Sequence, residues 1–580
     1  MKGSRKAYSL SWKRWRTALL LAGVIGLGVV LEGRVLYLQI LKKDFLLAQG
    51  DERHVRTVQL SAHRGPITDR HGEPLAVSTP VDSVWANPQE LKLNMGRLDE
   101  LARLLELDED WLARRITSNL DREFVYLRRH LRPDHASQVL SLRIPGVATL
   151  REYRRYYPAG EVAGHLIGFT NIDDVGQEGL EFEFDYWLRG ETGAKRVIQD
   201  RLGRVIEDVE LVNPPRPGRE LRASLDLRLQ YLAYRELKQA IEENNALSGS
   251  VVVLEVATGE VLAMANQPYY NPNDRAQFDA SRYRNRAVTD IFEPGSSFKP
   301  FVVAAALESG RYDSDSVIDT SPGYLSINGR VITQDINNLG EIDIRTVLAQ
   351  SSNVGVAKLA LDLDQDNLWL ALTRFGIGRL TDSGFPGESA GVLNDARHWR
   401  PVGQATLAYG YGLSVTPLQL AQAYAVIAAD GVRRPVSLVA LEETPSGERA
   451  ISSETARALN SMLETVVSPV GTGRRAAITN FRVAGKTGTA RKSGIGGYSE
   501  DRYLAVFGGF APATNPRLVV VVVIDEPRGS AYYGGEVAAP VFARILSGAL
   551  RLLAVPPDAL PRPPVTIPER TEVAKAEVDR

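Results

Sequence analysis

The sequence contains no cysteine and few histidines, and both scarcities limit the chemistry open to this chain. Its 580 residues include 0 cysteines and 7 histidines. Without cysteine there are no disulfides, no thiol nucleophile and no thiolate metal site. The histidines are scattered, with no HxxxH pair or other ligand-like cluster. We therefore expect no metal site and no cofactor, and we expect a nucleophilic serine to be activated by lysine rather than by histidine.

An excess of charge of one sign is also lacking. The chain has 69 basic and 70 acidic residues, which gives a net charge of -1. A dedicated nucleic-acid binder shows a strong basic bias, so we expect no nucleic-acid partner. The length leaves room for roughly three to four domains.

An apolar run near the N-terminus is long enough to cross a membrane. It covers residues 17–41, is interrupted only near Glu32 and Arg34, and follows a basic flank in residues 1–16. At about 1.5 Å per residue a helix of this length exceeds the roughly 30 Å hydrocarbon core. The basic flank predicts a cytoplasmic N-terminus. A cleaved signal peptide is the alternative, but no small-residue cleavage site follows the run, so we predict an uncleaved anchor.

A serine and a lysine three residues apart lie at the predicted start of an apolar helix. Ser296-Ser297-Phe298-Lys299 is the only SxxK string, and it follows the turn signal Pro294-Gly295. The apolar residues after it predict a helix that ends near Gly310. Because residues three apart share a helix face, we expect Lys299 to approach and activate the Ser296 hydroxyl. The alternative is an ordinary helix-capping serine beside an unrelated lysine.

Ser351-Ser352-Asn353 lies between two apolar helical patterns, so it caps or joins helices in the interior. A buried hydroxyl and amide there need partners, which a bound peptide and two lysines would supply. Simple helix capping is the alternative. Ser326-Ile327-Asn328 also fits SxN, but Asn328-Gly329 between apolar residues predicts a hairpin turn, and we interpret that string as structural.

A third string, Lys486-Thr487-Gly488, follows a strand-like stretch. Lys492-Ser493-Gly494 has the same pattern but lies in a Gly-rich polar segment, and we assign Lys492 to a hairpin loop. Gly488 permits a close approach, so an extended peptide could add to this strand edge. Lys486 and Thr489 are then candidates to face a substrate carboxylate.

The three strings together resemble the signature of the penicillin-binding, serine acyl-transferase superfamily. The longer strings EPGSSFKP, SSNVG and AGKTGTA and residues 409–431 are similar to class B penicillin-binding proteins, and within them to the FtsI-type, division-specific branch. Residues 64–72, 154–158 and 164–168 resemble the pedestal motifs of the same proteins. The resemblance covers residues 17–555.

The resemblance implies a peptidoglycan D,D-transpeptidase that β-lactams inhibit covalently. Ser296 would attack the D-Ala-D-Ala bond of a stem peptide, and an amine of a second stem peptide would take the acyl group. Lys299 would be the base, Ser351 would relay the proton, and Asn353 would hold Lys299 and the substrate amide. Backbone N–H groups of Ser296 and Thr489 would form the oxyanion hole. The implied catalytic residues are Ser296, Lys299, Ser351, Asn353 and Lys486, and the substrate-binding residues are Thr487, Gly488 and Thr489.

The implied fold is multidomain α/β. We expect a cytoplasmic segment (residues 1–16), a transmembrane helix (17–41), an α+β pedestal of the dimerisation type with a helical insert at 98–142 (42–218), and a penicillin-binding transpeptidase domain (219–555). In that last domain a β-sheet is flanked by helices, as in serine β-lactamases. Helix and strand patterns after the Pro-rich linker at 213–218 agree with this. The Pro-rich and charged residues 556–580 predict a disordered tail.

Several other functions remain open. A D,D-carboxypeptidase or β-lactamase would use water as acceptor, although no deacylating glutamate follows Asn353 closely. A membrane-anchored β-lactam sensor, a bifunctional polymerase and a non-catalytic division scaffold are further alternatives. The resemblance implies that the catalytic domain is periplasmic at the division septum of the inner membrane. It also implies an FtsW-like glycosyltransferase and other division proteins as partners.

Overall fold

The structure is a computed structural model, and it describes residues 11–45, 55–199, 205–274, 279–494 and 496–559. Its α-helices, in chain order, are α1 (Ser11–Leu36), α2 (Pro88–Leu91), α3 (Leu98–Leu105), α4 (Glu109–Thr117), α5 (Pro133–Ser141), α6 (Gly164–Ile167), α7 (Gly179–Glu183), α8 (Asp185–Leu188), α9 (Leu227–Glu243), α10 (Ala280–Tyr283), α11 (Arg286–Thr289), α12 (Lys299–Glu308), α13 (Ile344–Ala349), α14 (Asn353–Asp362), α15 (Gln365–Arg374), α16 (Pro401–Ala408), α17 (Pro417–Ala428), α18 (Ser453–Val467) and α19 (Gly534–Leu552).

The strands, in the same order, are β1 (Val55–Leu60), β2 (Ile67–Thr68), β3 (Pro74–Ala86), β4 (Val125–Leu131), β5 (Val147–Tyr156), β6 (Gly193–Gln199), β7 (Val205–Asn213), β8 (Leu221–Arg222), β9 (Ser248–Glu255), β10 (Val261–Gln267), β11 (Val317–Asp319), β12 (Tyr324–Ile327), β13 (Arg330–Gln334), β14 (Glu341–Asp343), β15 (Val432–Arg433), β16 (Glu448–Arg449), β17 (Ala484–Gly494), β18 (Gly497–Ala511) and β19 (Leu518–Asp525).

Helix α1 continues through a π-helical turn at Tyr37–Leu41. Arg14–Leu41 contains an 18-residue stretch with a mean hydropathy of 2.0 and no buried residue, so by length and composition it is able to cross a membrane. It includes all of the predicted anchor at residues 17–41. Residues 1–10 of the predicted cytoplasmic segment lie outside the described residues.

The chain divides into two compact units, each built from several segments. Of the described residues, those within 1–63, 80–153 and 190–217 form the first unit, and those within 64–79, 154–189 and 218–580 form the second. The sequence predicts a pedestal continuous over residues 42–218, whereas the structure places segments 64–79 and 154–189 in the second unit.

In the first unit, β1, β6 and β7 form an antiparallel sheet. Strand β4 pairs with the end of β3, from Leu131 opposite Asp82 to Val125 opposite Ala86. Helices α3, α4 and α5 contribute to the apolar core beside it. The predicted helical insert at 98–142 is wrong over β4, because Val125 and Leu127 are buried in the alternating pattern of a strand.

The second unit contains a five-stranded antiparallel sheet in the order β10-β9-β19-β18-β17. Its central strand, β19, is an almost continuous run of valine. Val519 and Val521 belong to the core that includes α12 and α17, and Val520 and Val522 belong to the core that includes α9 and α19. A strand covered on both faces is expected to be apolar without alternation. The sheet flanked by helices is the architecture predicted for the transpeptidase domain.

The last described residues of the chain form hydrogen bonds within the second unit. Asp558 accepts from the backbone N–H of Arg482 at 2.7 Å, and the N–H of Ala559 donates to the carbonyl of Asn480 at 3.1 Å. The predicted disordered tail therefore begins too early at residue 556. Residues 560–580 lie outside the described residues.

Candidate active site

Ser296 lies in a tight turn that leads directly into α12. Gly295–Phe298 form a 3-10 turn, and α12 follows from Lys299. Gly295 has φ of 56°, and a Cβ there would lie 2.9 Å from the carbonyl oxygen of Thr489. Glycine is needed at this position both for its backbone angle and for the close approach of β17. The predicted apolar helix is present, although its first turn is 3-10.

Lys299 is fully buried, and its amine is bonded to the junction between α13 and α14. Nζ donates to Asn353 Oδ1 at 2.6 Å and to Ser351 Oγ at 3.2 Å. Burial and the nearby charge of Lys486 hold the pKa of Lys299 well below its usual value, while the negative charge of Asp335 acts in the opposite direction. A lysine kept neutral in this way is able to accept a proton from a serine hydroxyl.

Ser351 lies between the two buried lysines. It joins α13 to α14 with φ of 60°, and its Oγ is 3.2 Å from Lys299 Nζ and 3.0 Å from Lys486 Nζ. Ser352 caps α14 by accepting from the N–H of Gly355 at 2.9 Å. Helix capping and lysine contact, the two interpretations of Ser351-Ser352-Asn353, therefore both apply. Ser352 caps α14, and Ser351 contacts the lysines.

Strand β17 contributes Lys486 and the threonine that follows it. Burial lowers the pKa of Lys486 to about 7. Its Nζ lies 3.3 Å from Thr487 Oγ1, which in turn lies 3.0 Å from Thr472 Oγ1. An amine and hydroxyl groups placed together in this way suit a carboxylate ligand.

Gly488 and Thr489 bring β17 against the Ser296 turn. A Cβ at Gly488 would lie 2.7 Å from the carbonyl oxygen of Pro294. The Thr489 hydroxyl oxygen accepts from the N–H of Gly534 at 2.9 Å, a bond to the start of α19 that the sequence did not predict. Strand β17 is the last strand of its sheet, and β18 is the one described strand that pairs with it.

A single cavity of about 620 Å³ unites these groups. Among the residues that line it are Ser296, Ser351, Asn353, Thr487 and Thr489 from the predicted site, and Asp335, Thr472, Arg474, Arg475, Tyr533 and Glu536 besides. A larger cavity of about 850 Å³ beside α9 contains none of the predicted site residues, so volume alone does not locate the chemistry. Across the described ranges no cluster of three or more histidine, aspartate or glutamate side chains could hold a metal ion, and the absence of a cofactor stays a prediction.

The alternative SxN string does not line this cavity. Ser326 lies in β12, which is joined to β13 by Asn328 and Gly329 with φ of 52° and 77°. This is the hairpin predicted from the sequence.

The alternative lysine has another role. Lys492 Nζ is 2.8 Å from both Asp525 Oδ1 and Glu526 Oε1. Burial acts to lower the pKa of Lys492, but the two carboxylates outweigh it and raise the value. Its assignment to a hairpin loop is wrong, because β17 continues to Gly494 and pairs with β18 beyond Lys492.

The sequence reasoning missed Asp335. Its carboxylate accepts from Ser352 Oγ at 2.5 Å and from the N–H of Asn353 at 2.6 Å. Asp335 directly follows the strand after the predicted Asn328-Gly329 hairpin, but no local pattern connects that strand with α14.

Comparisons with known proteins identify the family of this chain. Residues 249–547 match the family model for the penicillin binding protein transpeptidase domain, and residues 59–223 match the penicillin-binding protein dimerisation domain. The chain is 44% identical over 564 residues to peptidoglycan D,D-transpeptidase FtsI of Escherichia coli K12, which covers 96% of this chain and 95% of that protein. It is 42% identical over 544 residues to the probable peptidoglycan D,D-transpeptidase PenA of Neisseria meningitidis, covering 93% and 92%. The solved structure of penicillin binding protein 3 from Mycobacterium tuberculosis, complexed with aztreonam, superposes with a TM-score of 0.67 at 28% identity, over 86% of this chain and 98% of that one.

Proposed function

The chain belongs to the penicillin-binding protein family and is a peptidoglycan D,D-transpeptidase of the FtsI kind, and we propose that Ser296 is the residue that carries its acyl group. The family, fold class and enzyme class predicted from the sequence are thus confirmed. An enzyme of this kind acts on peptidoglycan stem peptides and binds β-lactams. The roles of individual residues are the subject of the proposal.

Acylation begins when Ser296 Oγ attacks the carbonyl carbon of the penultimate D-alanine. Its proton passes to neutral Lys299, and the peptide C–N bond then breaks. The leaving amine takes a proton through Ser351, and the terminal D-alanine departs. The observation that carries this proposal is the position of Ser351 Oγ, within 3.2 Å of one lysine Nζ and 3.0 Å of the other.

The carboxylate of the terminal D-alanine binds at Lys486, Thr487 and Thr489, while Gly488 keeps that strand close to the serine. Negative charge that develops on the attacked oxygen is stabilised by the backbone N–H groups of Ser296 and Thr489. One such donor is typically worth about a hundred- to a thousand-fold in rate.

An amine of a second stem peptide completes the reaction. It attacks the ester carbon, loses a proton to the lysine pair, and releases Ser296 Oγ, which regains its hydrogen. The product is an amide cross-link between two stem peptides. A carboxypeptidase would place water in the amine's position, and the curated relatives, which are transpeptidases by name, do not favour that alternative.

Covalent labelling of the full-length chain by a fluorescent penicillin, followed by peptide mass mapping, tests the assignment. Ser296→Ala should abolish the adduct, and Lys299→Ala should slow its formation by about a hundred- to ten-thousand-fold, as expected for loss of a general base. Ser326→Ala and Lys492→Ala are matched controls for the alternative strings and should label like wild type. An adduct on any serine other than Ser296 would contradict the proposal.

We also propose that α1 anchors the chain in the inner membrane, with its basic N-terminus in the cytoplasm and the residues that follow the anchor in the periplasm. Residues 1–16 carry the positive charge that favours this orientation. We place the enzyme at the division septum beside an FtsW-like glycosyltransferase. The glycosyltransferase would polymerise the glycan strands, and this enzyme would cross-link them. The similarity to peptidoglycan D,D-transpeptidase FtsI supports this proposal.

The orientation is testable because the chain has no cysteine of its own. A single Ser118→Cys reporter should react with a membrane-impermeant maleimide in intact spheroplasts. A single Ser4→Cys reporter should react only after permeabilisation. The reverse pattern would contradict the proposed orientation. Fluorescent fusions, with and without depletion of the glycosyltransferase, test the septal location.

A further inference from the structure

Asp335 lies directly after β13, and its carboxylate bonds this segment to the turn that contains Ser351, Ser352 and Asn353. Besides Ser352 Oγ at 2.5 Å and the N–H of Asn353 at 2.6 Å, its carboxylate accepts from the N–H of Val354 at 3.2 Å. Its own N–H donates to the carbonyl of Gly323 at 2.9 Å, which fixes its backbone. Both carboxylate oxygens are therefore engaged by the first turn of α14.

The same turn carries the groups that bond the buried lysine. Asn353 presents its N–H to Asp335 and its side-chain oxygen to Lys299, at 2.6 Å in each case. Ser351, the next contact of Lys299, has a left-handed φ of 60°, a conformation that surrounding bonds must hold in place. A displacement of Asp335 would thus move both partners of Lys299.

Asp335 is also close enough to influence Lys299 electrostatically. Within the part of the chain that the structure describes, two charged groups act on Lys299: Lys486 from β17, which disfavours its protonated form, and Asp335, which favours it. The other groups around its amine, Ser351 and Asn353, are neutral. Asp335 also lines the cavity that contains Ser296, Ser351 and Asn353.

From this geometry we propose that Asp335 is a positioning residue for the transpeptidase reaction, whose carboxylate fixes the turn bearing Ser351 and Asn353 and supplies the negative charge that balances the lysine pair. The inference deepens the proposed function and rests on it, since it takes Ser296 as nucleophile and Lys299 as base. The negative charge and the hydrogen bonds are separable, because asparagine retains one acceptor oxygen but no charge.

The test is the pH dependence of acylation by a fluorescent penicillin, measured on the full-length chain from about pH 5 to about pH 9.5. Rates are divided by the active fraction, which is found by titration with the same penicillin. Asp335→Asn removes a negative charge that favours protonated Lys299, so the pKa of Lys299 should fall. The acid limb of the variant's pH–rate profile should therefore move to lower pH by about one unit. Its rate on the plateau should fall by about ten-fold or less, because the bonds to Asn353 and Val354 persist.

Asp335→Glu serves as the second variant. It keeps the charge but displaces the oxygens from the turn, so its acid limb should stay at the wild-type pH while its plateau rate falls more than that of Asp335→Asn. Asp364→Asn is the matched control, since Asp364 caps α15 by accepting from the N–H of Asn367 at 3.1 Å, and it should leave the whole profile unchanged.

The outcomes separate this inference from the proposed function. If Asp335→Asn and wild type share one acid limb, or if Asp364→Asn shifts it equally, Asp335 has only a structural role and the inference is overturned. If the wild-type chain forms no adduct at Ser296, the proposed function fails and the inference fails with it. If Asp335→Asn does not fold, Asp335→Glu alone decides: a plateau acylation rate equal to that of wild type would overturn the inference.

Discussion

Replacement of Gly488 by alanine tests whether the spacing between β17 and the Ser296 turn determines activity. A Cβ at this position would lie 2.7 Å from the carbonyl oxygen of Pro294 and 3.0 Å from Ser297 Cβ. Ordinary contacts of a Cβ begin at 3.4 Å, so the strand and the turn must separate by several tenths of an ångström.

The turn has little freedom to move away. Ser297 Oγ donates to the Pro294 carbonyl at 2.7 Å, and the hydroxyl of Tyr424 donates to the Ser297 carbonyl at 2.8 Å, with both residues buried. The strand must therefore shift instead, and the N–H of Thr489 shifts with it. If this N–H is an oxyanion donor, as proposed, its displacement costs about a hundred-fold or more in rate. Overpacking costs about 1–3 kcal/mol of the free energy of unfolding.

The assay is the second-order rate constant for acylation by a fluorescent penicillin, with urea unfolding in parallel. Gly403→Ala is the control, because Gly403 lies exposed in α16 and a Cβ there meets no atom within 4 Å. That variant should acylate like wild type and gain about 0.5–1 kcal/mol in free energy of unfolding. Acylation of Gly488→Ala within about three-fold of wild type would refute the reasoning, because a lost donor costs far more.

Two further predictions concern stability. Burial lowers the pKa of Lys486 from 10.5 to about 7, so between these values the unfolded chain binds more protons than the folded one and the free energy of unfolding rises with pH. Lys486→Met should reduce the slope of the free energy of unfolding against pH by up to about 1.4 kcal/mol per pH unit. Urea titrations between about pH 7.5 and about pH 9.5 measure this slope. An unchanged slope would contradict the lowered pKa. Tyr424→Phe leaves the buried carbonyl of Ser297 without its donor and should lower the free energy of unfolding by about 1–3 kcal/mol; Tyr312→Phe, which removes a bond to exposed Asp362, should cost less.

Local patterns were sufficient to predict where several of the candidate residues lie in the fold. Ser296 follows a Pro-Gly turn and precedes an apolar helix, so its place at a helix start is determined by neighbouring residues. The same holds for Ser352, whose hydroxyl caps α14, and for the Asn328-Gly329 hairpin that explains the alternative SxN string. The resemblance to a known family then connected three distant strings that no periodicity connects.

Contacts between distant segments account for what the sequence did not reveal. Asp335 meets Ser352, and Thr489 meets Gly534, across stretches with no shared pattern. Lys492 looked like a loop residue because glycines follow it, yet pairing with β18 and two carboxylates keep it in a strand. Strand β4 was hidden among helix-forming Leu and Arg residues, where tertiary burial overrides local propensity.

The order of strands in the second unit has a consequence for how the enzyme is made. Strand β9 pairs with β19, so that Ser248 lies opposite Asp525 and Glu255 opposite Leu518. Pairing between such distant parts of a chain folds slowly. Because the chain is synthesised from its N-terminus, β9 is made long before β19, and its valine-rich edge stays unpaired in the meantime. Unpaired edges of this kind are prone to aggregate. A chain cut short before β19 should therefore aggregate or be degraded rather than accumulate as a partly active fragment.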